Sequence, residues 1–192
     1  MENKPVFSAD LSQALECLKK GGIILYPTDT IWGIGCDATN PEAVRKIYKL
    51  KNRADSKSML VLVDNKESIR KLVGEIPEKA GNLLATAERP LTVIFENADG
   101  VAPELLTEDK SLGIRITHEE FSNKLCHLLG RPLVSTSANI SGEKAPSCFK
   151  EISEGIKSGV DYIVKYRQED CSIKQPSSII KITPSGEVIK IR

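Results

Sequence analysis

The sequence predicts an α/β domain built on a mixed β-sheet. Short apolar runs, typical of buried strands, alternate along the chain with longer segments in which apolar residues recur at helical spacing. Near the end of the chain, two such runs flank a Pro-Ser-Gly turn, which predicts a hairpin. The 192 residues, of which 40% are hydrophobic and 28% are charged, suffice for a core of their own. We therefore expect residues 1–192 to form one domain.

Eight strands and six helices are predicted. The strands span residues 23–26, 59–63, 91–95, 112–116, 133–137, 161–164, 178–183 and 187–191. Side chains that can cap a helix N-terminus stand at Ser8, Asn40, Asn65 and Ser147, and Pro77 marks another helix start. The helix at 77–87 should bury Leu83, Leu84 and Ala87. The remaining predicted helix covers residues 119–129. The glycines at 21 and 130 predict helix ends.

Composition excludes several classes of protein. The net charge is +1, so any positive field must be local, whereas duplex-binding proteins usually carry a broad basic excess. The five cysteines are scattered and form no C-x-x-C pair, which predicts free thiols and a cytoplasmic location. No apolar run approaches about 18 residues, so we expect no membrane span and no signal peptide. No spacing of histidines and cysteines predicts a metal site.

A polar turn and a basic cluster stand at opposite ends of one strand-helix-strand segment. The turn at residues 27–30 (PTDT) leaves the first strand, and residues 45–57 hold six bases and one acid, a net charge of +5. The cluster could be a solvated helix end that complements the helix dipole. However, Lys51, Arg53 and Lys57 follow the helix and precede a buried strand, where ligands of α/β sheets bind. On this second interpretation, the turn and the bases meet around an anionic substrate.

Two further features also allow two interpretations. Arg115 lies in an otherwise apolar strand, so it forms either a structural ion pair or a second anion clamp facing a cleft. The strand at 133–137 runs into STSANISG, residues 135–142, which is either a polar turn or a hydroxyl-rich cradle for phosphate or ribose. Ser177 and Ser178 repeat that chemistry before the last hairpin.

The stretch GIGCDA at residues 33–38 fits the dinucleotide fingerprint G-x-G-x-x-A only weakly. The fingerprint joins a strand directly to a helix N-terminus, but here helix signals begin at Asn40. There is no P-loop motif, and no arrangement of serine, histidine and aspartate suggests a nucleophilic hydrolase. The residues thus predict a cleft for a phosphorylated or carboxylated small molecule without naming it.

The ordered set of motifs resembles the YrdC/Sua5 family. Its members in this chain are YPTDT at 26–30, GIG at 33–35, KNR at 51–53, STSANISG at 135–142 and a late PSS at 176–178. The resemblance covers almost the whole chain. It implies an open, twisted mixed sheet with surrounding helices and a large basic concave cleft. It also implies the short, single-domain form, without the additional C-terminal domain of longer Sua5 proteins.

The resemblance further implies a threonylcarbamoyl-AMP synthase, a nucleotidyltransferase. Such an enzyme makes threonylcarbamoyl-AMP and pyrophosphate from L-threonine, bicarbonate and ATP. The product serves N6-threonylcarbamoyladenosine formation at tRNA position 37, where a separate transferase complex uses it. Mg²⁺ would be carried by ATP, weak RNA binding is compatible with the cleft, and no membrane partner is implied.

The roles implied for individual residues follow from the matching motif positions. The catalytic pair would be Lys51 and Arg53. Threonine would contact Thr30, Arg115, Ser135 and Ser177. ATP would contact Arg53, Lys57, Ser111, Ser137, Asn139 and Arg192. No residue would ligate a metal directly.

Two positions depart from the family pattern, and two other functions stay open. Trp32 stands where the family usually has Tyr or Phe, and Ser58 stands where Pro is common. Either difference would act on the threonine pocket rather than the fold. A YciO-like paralogue shares the fold but has an altered K-x-R region, so residues 51–53 favour the synthase. An RNA-binding module is disfavoured by an aromatic content of only 5%.

Overall fold

The structure, a computed structural model, describes residues 4–52, 59–172, 176–183 and 185–192. Its helices are α1 (Lys4–Lys19), α2 (Pro41–Leu50), α3 (Lys66–Val73), α4 (Glu78–Thr86), α5 (Glu120–Leu129) and α6 (Glu154–Ser158). Its strands are β1 (Ile24–Tyr26), β2 (Gly33–Gly35), β3 (Leu60–Val63), β4 (Leu91–Phe95), β5 (Leu112–Ile116), β6 (Leu133–Ser137), β7 (Tyr162–Ile163), β8 (Ser178–Ile182) and β9 (Val188–Lys190). Two 3-10 turns lie at Pro103–Leu105 and Phe149–Glu151.

The nine described strands form one mixed sheet in the order β7-β1-β2-β6-β3-β5-β4-β8-β9. The pairs β1–β7, β3–β5 and β4–β8 are parallel, and the other five pairs are antiparallel. The predicted α/β class with a mixed sheet is confirmed. That residues 1–192 form a single domain stays a prediction. Of the described helices, none has the length and apolar content that a membrane crossing needs.

The apolar runs located the strands well, with one omission. Strands β4, β5 and β6 have the predicted bounds, and the final hairpin is formed by β8 and β9. The prediction missed β2, because its sequence Gly-Ile-Gly has little strand propensity. These residues instead pair with β1 and β6 in the sheet, so they do not join a strand to a helix.

Close packing against β6 explains the glycine at position 35. A Cβ atom there would lie 2.5 Å from the carbonyl oxygen of Val134 and 2.6 Å from the ring of Tyr26. The Tyr26 hydroxyl, fully buried, donates a hydrogen bond of 3.1 Å to that same carbonyl. Burial raises the pKa of Tyr26, so the phenol stays a donor at physiological pH. Side-chain volume at this point would therefore separate β1, β2 and β6.

Two of the predicted helix caps are confirmed. Asn40 accepts a hydrogen bond of 3.2 Å from the backbone of Ala43 at the start of α2, and Asn65 accepts one of 3.0 Å from Ser68 in α3. Gly130 ends α5 in the left-handed conformation that glycine adopts without steric cost.

The predicted caps at Ser8 and Ser147 are wrong. Helix α1 begins at Lys4, and the earlier start lets Phe7 pack edge-on against the rings of Phe121 and Tyr166, with centroids 5.6 and 4.9 Å apart. No continuous helix follows Ser147. The segment is split into a 3-10 turn, in which the Phe149 ring packs 4.9 Å from Trp32, and the short α6.

Helix α4 differs from its predicted apolar face. Ala80 is the buried residue of this helix, Leu84 packs partly against the core, and Leu83 is 36% exposed. Helix α4 therefore covers the sheet less deeply than its sequence suggests. By contrast, β1 is buried throughout and β3 is buried except at its first residue, so the sheet centre is a rigid support for the residues beside it.

Candidate functional site

A cleft of about 500 Å³ opens beside the central strands, next to the β1–β2 turn and the segment that leads into β8. Its volume is in the range that small-molecule sites occupy. It is lined by six of the residues that the sequence predicted for threonine or ATP: Thr30, Arg115, Ser135, Ser137, Ser177 and Arg192. These residues are widely separated in sequence, and the sheet brings them together.

The β1–β2 turn is held in shape by its first threonine. The Oγ1 atom of Thr28 donates a hydrogen bond of 2.7 Å to the carbonyl oxygen of Ile31 and accepts one of 3.1 Å from the backbone of Thr30. The hydroxyls of Thr28 and Thr30 lie 3.1 Å apart, and both side chains line the cleft. The predicted hydroxyl-rich turn is thus held in shape by its own hydrogen bonds.

Arg115 combines the two interpretations that the sequence left open. Its Nη2 atom lies 3.1 Å from Oδ1 of Asp29, and the two side chains are 4% and 9% exposed, so a buried ion pair is present. The same Nη2 lies 3.5 Å from the hydroxyl of Thr30, and Arg115 also lines the cleft. The guanidinium therefore has a structural partner on one side and access to a ligand on the other.

A polar row continues from Arg115 across two neighbouring strands. Thr92 in β4 is the register partner of Arg115 in β5 and is 2% exposed. Its hydroxyl lies 3.1 Å from that of Ser177, and Arg192 donates two hydrogen bonds, of 3.1 and 3.2 Å, to the carbonyl oxygen of Ser177. Sequence reasoning missed Thr92, although a threonine within an apolar strand is a signal that could have revealed it.

Further residues line the cleft although the sequence assigned them no substrate contact. Trp32 is 4% exposed, and the sequence singled it out only as a departure from the family pattern. The remaining members of this group are Thr28, Ile31, Gly33, Met59, Leu60, Thr136, Ala145, Pro176 and Ile179. Thr28, Gly33, Thr136 and Pro176 belong to the quoted motifs but were given no role of their own, whereas the other five provide apolar walls that no motif marks.

Lys51 is a buried support rather than an exposed charge. It is 1% exposed, and its Nζ atom donates hydrogen bonds to the carbonyl oxygens of Ser137 and Asn139, the latter at 2.6 Å. Its own carbonyl oxygen accepts a hydrogen bond of 2.8 Å from Ser141. Lys51 thus fixes the loop that follows β6, and it is absent from the described lining of the cleft.

Asn139 lies in that same loop. Its Nδ2 atom donates hydrogen bonds to the carbonyl oxygens of Ile140 and Glu143, at 2.9 and 2.8 Å. Its buried Oδ1 atom has no hydrogen-bond partner in the described part of the chain. The structure therefore supports a local ordering role, whereas the contact predicted with ATP stays a prediction.

Arg53 and Lys57 lie outside the described residues, so their predicted roles stay predictions. The basic character expected of the cleft depends largely on them. Among the described lining residues, the cations are Arg115 and Arg192. The large basic character of the cleft therefore stays a prediction.

The structure does not bring Ser111 to the cleft. It stands four residues before Arg115 along β5, about 13 Å away at the rise of an extended strand. Its hydroxyl donates a hydrogen bond of 2.8 Å to Asp109, whose carboxylate also contacts Lys181 at 3.0 Å. Hydrogen bonds from Thr107 and Ser111, together with Lys181, hold the pKa of Asp109 well below its usual range. Ser111 is not among the described residues that line the cleft, so its contact with ATP stays a prediction.

The donor atoms of the cleft would suit a metal ion that arrives with its own ligands. Within the ranges that the structure describes, no three residues of the types His, Cys, Asp and Glu cluster as a metal-binding group would. The described lining offers hydroxyls and two guanidinium groups but no carboxylate. Such a lining fits Mg²⁺ held by phosphate oxygens and water rather than by protein carboxylates.

Comparison with known proteins places the chain in a family. The family model Sua5_yciO_yrdC, described as "Telomere recombination", matches residues 16–192. The chain belongs to the Sua5/YciO/YrdC family. A family relative from Vibrio parahaemolyticus, named threonylcarbamoyl-AMP synthase, is 31% identical over 173 residues, which are 88% of this chain and 92% of the relative.

Solved structures of the Sua5/YciO/YrdC family have the same fold. The crystal structure of P. abyssi Sua5 complexed with L-threonine matches with a TM-score of 0.84 and 26% identity, covering 95% of this chain and 53% of that protein. The chain thus spans about half the length of that Sua5. The structure of E. coli YciO matches with a TM-score of 0.80 and 24% identity, covering 95% of this chain and 87% of YciO, and it supports the fold alone.

Proposed function

We propose that the chain is a threonylcarbamoyl-AMP synthase, which forms threonylcarbamoyl-AMP and pyrophosphate from L-threonine, bicarbonate and ATP. The observation that carries the proposal is the position of Arg115, buried in the sheet beside the PTDT turn and open to the cleft. A relative that is similar over 88% of the chain carries the name of this enzyme. A Sua5 with the same fold was solved with L-threonine bound.

Arg115 is suited to the carboxylate of threonine. A guanidinium group offers planar, paired donors to a carboxylate, and the rigid strand on which it stands limits its movement. The hydroxyls of Thr30, Ser135 and Ser177 line the same cleft and can exchange hydrogen bonds with the amine and hydroxyl of the amino acid. Together with the apolar walls of the cleft, these polar groups would fix the orientation of the ligand.

The nucleotide would occupy the part of the cleft beside Ser137 and Arg192. Arg192 is anchored through the carbonyl oxygen of Ser177 and still lines the cleft, so it can approach a phosphate. Lys51 would act mainly by holding the Ser137–Asn139 carbonyls in place. Arg53 and Lys57, outside the described residues, are proposed to contact the triphosphate.

The reaction needs no covalent intermediate with the protein. The neutral amine of threonine adds to the carbon of bicarbonate, with loss of water, to give a carbamate. A carbamate oxygen then attacks the α-phosphorus of ATP, and the bond from that phosphorus to pyrophosphate breaks. Holding two anionic reactants in line can lower the barrier by up to about 7–11 kcal/mol. Fixed cations near the phosphates would also stabilise the charge that develops.

Mg²⁺ is proposed to accompany ATP, where it would neutralise charge on the triphosphate. The hydroxyl-rich, carboxylate-free lining supports this arrangement. A cytoplasmic location and transfer of the product to a tRNA-modifying transferase are further parts of the proposal. The free state of all five cysteines is consistent with a reducing compartment.

The proposal is tested by incubating the protein with ATP, Mg²⁺, labelled bicarbonate and one amino acid at a time. We expect pyrophosphate release that needs both bicarbonate and threonine, with label recovered in an adenylate. Arg115→Gln should abolish the release of pyrophosphate that threonine elicits. Lys110→Gln, outside the cleft, should leave that release unchanged. Absence of release with every amino acid, together with tight RNA binding that weakens steeply with salt, would favour an RNA-binding module instead.

A further inference from the structure

Asp29 lies in the β1–β2 turn and connects this turn to β5 through an ion pair with Arg115. The two side chains form an ion pair of 3.1 Å in which Asp29 is 9% exposed and Arg115 is 4% exposed. Asp29 itself is not among the described residues that line the cleft. It is therefore placed to act on the guanidinium and not on a ligand.

The hydrogen bonding of this pair is incomplete. Both carboxylate oxygens of Asp29 and the Nε atom of Arg115 are buried and have no well-directed hydrogen-bond partner in the described part of the chain. Buried polar groups in folded proteins are nearly always satisfied, and an exception of this kind is costly. The charge of each of these two buried groups is therefore balanced chiefly by the other.

Little else holds the guanidinium in its position. Apart from Asp29, the side chain that accepts from its guanidinium among the described residues is the hydroxyl of Thr30, at 3.5 Å, the outer limit of a hydrogen bond. The strand residues on either side of Arg115 are apolar and supply no acceptor. The orientation of the guanidinium in the cleft therefore depends chiefly on the carboxylate of Asp29.

We propose that Asp29 is the positioning residue that orients Arg115 toward the carboxylate of the amino-acid substrate. Asp29 compensates the buried charge in the absence of substrate and leaves donors of Arg115 to the cleft. The identity of that substrate rests on the proposed function, but the coupling between Asp29 and Arg115 does not. An uncharged side chain of the same shape should then weaken amino-acid binding without altering the reacting groups.

The test compares Asp29→Asn with Asp37→Asn in the pyrophosphate assay. Asp37 is the matched control, because it is also buried and pairs with an arginine, Arg131, at 2.6 Å, away from the cleft. We expect Asp29→Asn to raise the KM for threonine about tenfold or more, with kcat changed less than about threefold, because an oriented, charge-assisted contact is lost. Asp29→Glu should recover part of the affinity, and Asp37→Asn should leave the KM unchanged. An unchanged or lower KM in Asp29→Asn would overturn the proposal.

A second measurement does not depend on the reaction. Urea unfolding of Asp29→Asn, Arg115→Gln and the double variant forms a cycle in which the double variant should lose less stability than the sum of the single variants. Strictly additive losses would also overturn the proposal. If Asp29→Asn alone is too unstable to assay, the double variant should still fold, because it lacks the uncompensated charge. Coupling in this cycle without any pyrophosphate release by the wild type would refute the synthase function and leave the ion-pair arm intact.

Discussion

The ammonium group of Lys51 donates a hydrogen bond of 2.6 Å to the carbonyl oxygen of Asn139, which lies 88 residues further along the chain. A second hydrogen bond from the same group reaches Ser137, and the lysine side chain is almost fully buried. The C-terminal end of α2 is thereby tied to the loop after β6. A basic residue that the sequence marked as a substrate contact thus has a structural role in the described part of the chain.

Replacement of Lys51 by methionine should therefore affect both stability and activity. The change leaves two buried carbonyl groups without their donor, and hydrogen bonds from charged groups contribute about 1.5–3 kcal/mol each. We expect the free energy of unfolding to fall by about 2–4 kcal/mol in urea denaturation, with turnover abolished. The matched change Lys49→Met, at an exposed position of the same helix end, should alter stability by less than about 0.5 kcal/mol. If the Lys51→Met protein were as stable as the wild type, the hydrogen bonds of Lys51 to Ser137 and Asn139 would not stabilise the fold.

A methyl group at Gly35 should disrupt the packing of β1 and β2 against β6. The added Cβ would approach the Val134 carbonyl and the Tyr26 ring to about 2.5 Å, with backbone on one side. We expect Gly35→Ala to lower the free energy of unfolding by about 2–3 kcal/mol, measured by urea or heat denaturation. In the control, Gly81→Ala, the new methyl group meets no atom within 4 Å in the interior of α4. That variant should be stabilised by about 0.5–1 kcal/mol, since alanine restricts the unfolded chain and favours a helix.

Ser111→Ala tests the predicted ATP contact of this residue, and its stability should also depend on pH. The pKa of Asp109 is lowered from its ordinary value of 3.8, so the unfolded chain binds a proton more readily than the folded protein does. The stabilisation is complete above about pH 5 and is lost as the pH falls through 3.8 toward the lower folded pKa. Removing the Ser111 hydroxyl should lower stability at pH 7, and this difference should shrink as the pH falls below about 4.

The same Ser111→Ala protein should keep its activity. Its KM for ATP and its kcat should stay within about twofold of the wild type, because the hydroxyl donates to Asp109 and Ser111 is not among the described residues that line the cleft. A rise of about tenfold in the KM for ATP, at unchanged stability, would show that the residue binds nucleotide after all.

Trp32 should report ligand binding by its fluorescence. It is the single tryptophan of the sequence, lines the cleft and packs against Phe149 with ring centroids 4.9 Å apart. A ligand that displaces water from the indole should change the emission intensity or wavelength, and titration with threonine and ATP should give saturable curves. Trp32→Phe should lose the signal while the protein still folds, since the change keeps an aromatic ring. No emission change at saturating ligand would place the ligand away from this wall of the cleft.

Arg192→Gln should weaken nucleotide binding more than threonine binding. The guanidinium is anchored by hydrogen bonds of 3.1 and 3.2 Å to Ser177 and can present charge to a phosphate. We expect the KM for ATP to rise about tenfold and the KM for threonine to change less than about threefold in steady-state assays. Lys190→Gln changes an exposed residue at the end of β9, two positions before Arg192, and controls for the lost positive charge. Equal effects of both changes would mean that general charge, and not position, matters.

Sequence patterns predicted the sheet better than the ends of the helices. Apolar runs mark where buried strands begin, and β4, β5 and β6 were delimited correctly although β5 contains Arg115 and β6 ends in hydroxyl residues. Ser8 and Ser147 have the chemistry of a cap, but a serine caps a helix only where the chain enters it. The contacts of Phe7 with Phe121 and Tyr166 extend α1 upstream, and no local pattern records those partners.

The candidate site was predicted where motifs carry charge or hydroxyl groups. Arg115, Thr30 and Ser177 were identified, whereas Asp29 was noted merely as part of a motif and Thr92 was missed. Both act through a residue on another strand, and strand register is not visible in a single sequence.

The polar row from Arg115 through Thr92 to Ser177 also bears on how the molecule acquires its site. Arg115 lies in β5, Thr92 lies in β4 and Ser177 directly precedes β8, and Thr92 and Ser177 are 85 positions apart in the chain. Closing such long loops is entropically costly and slow, so the row forms only when β4, β5 and β8 have all paired. A chain that is still being synthesised, and in which β8 has not yet paired with β4, would therefore bind neither threonine nor ATP. Substrate occupancy would consequently protect the finished fold from proteolysis and offer little protection to earlier intermediates.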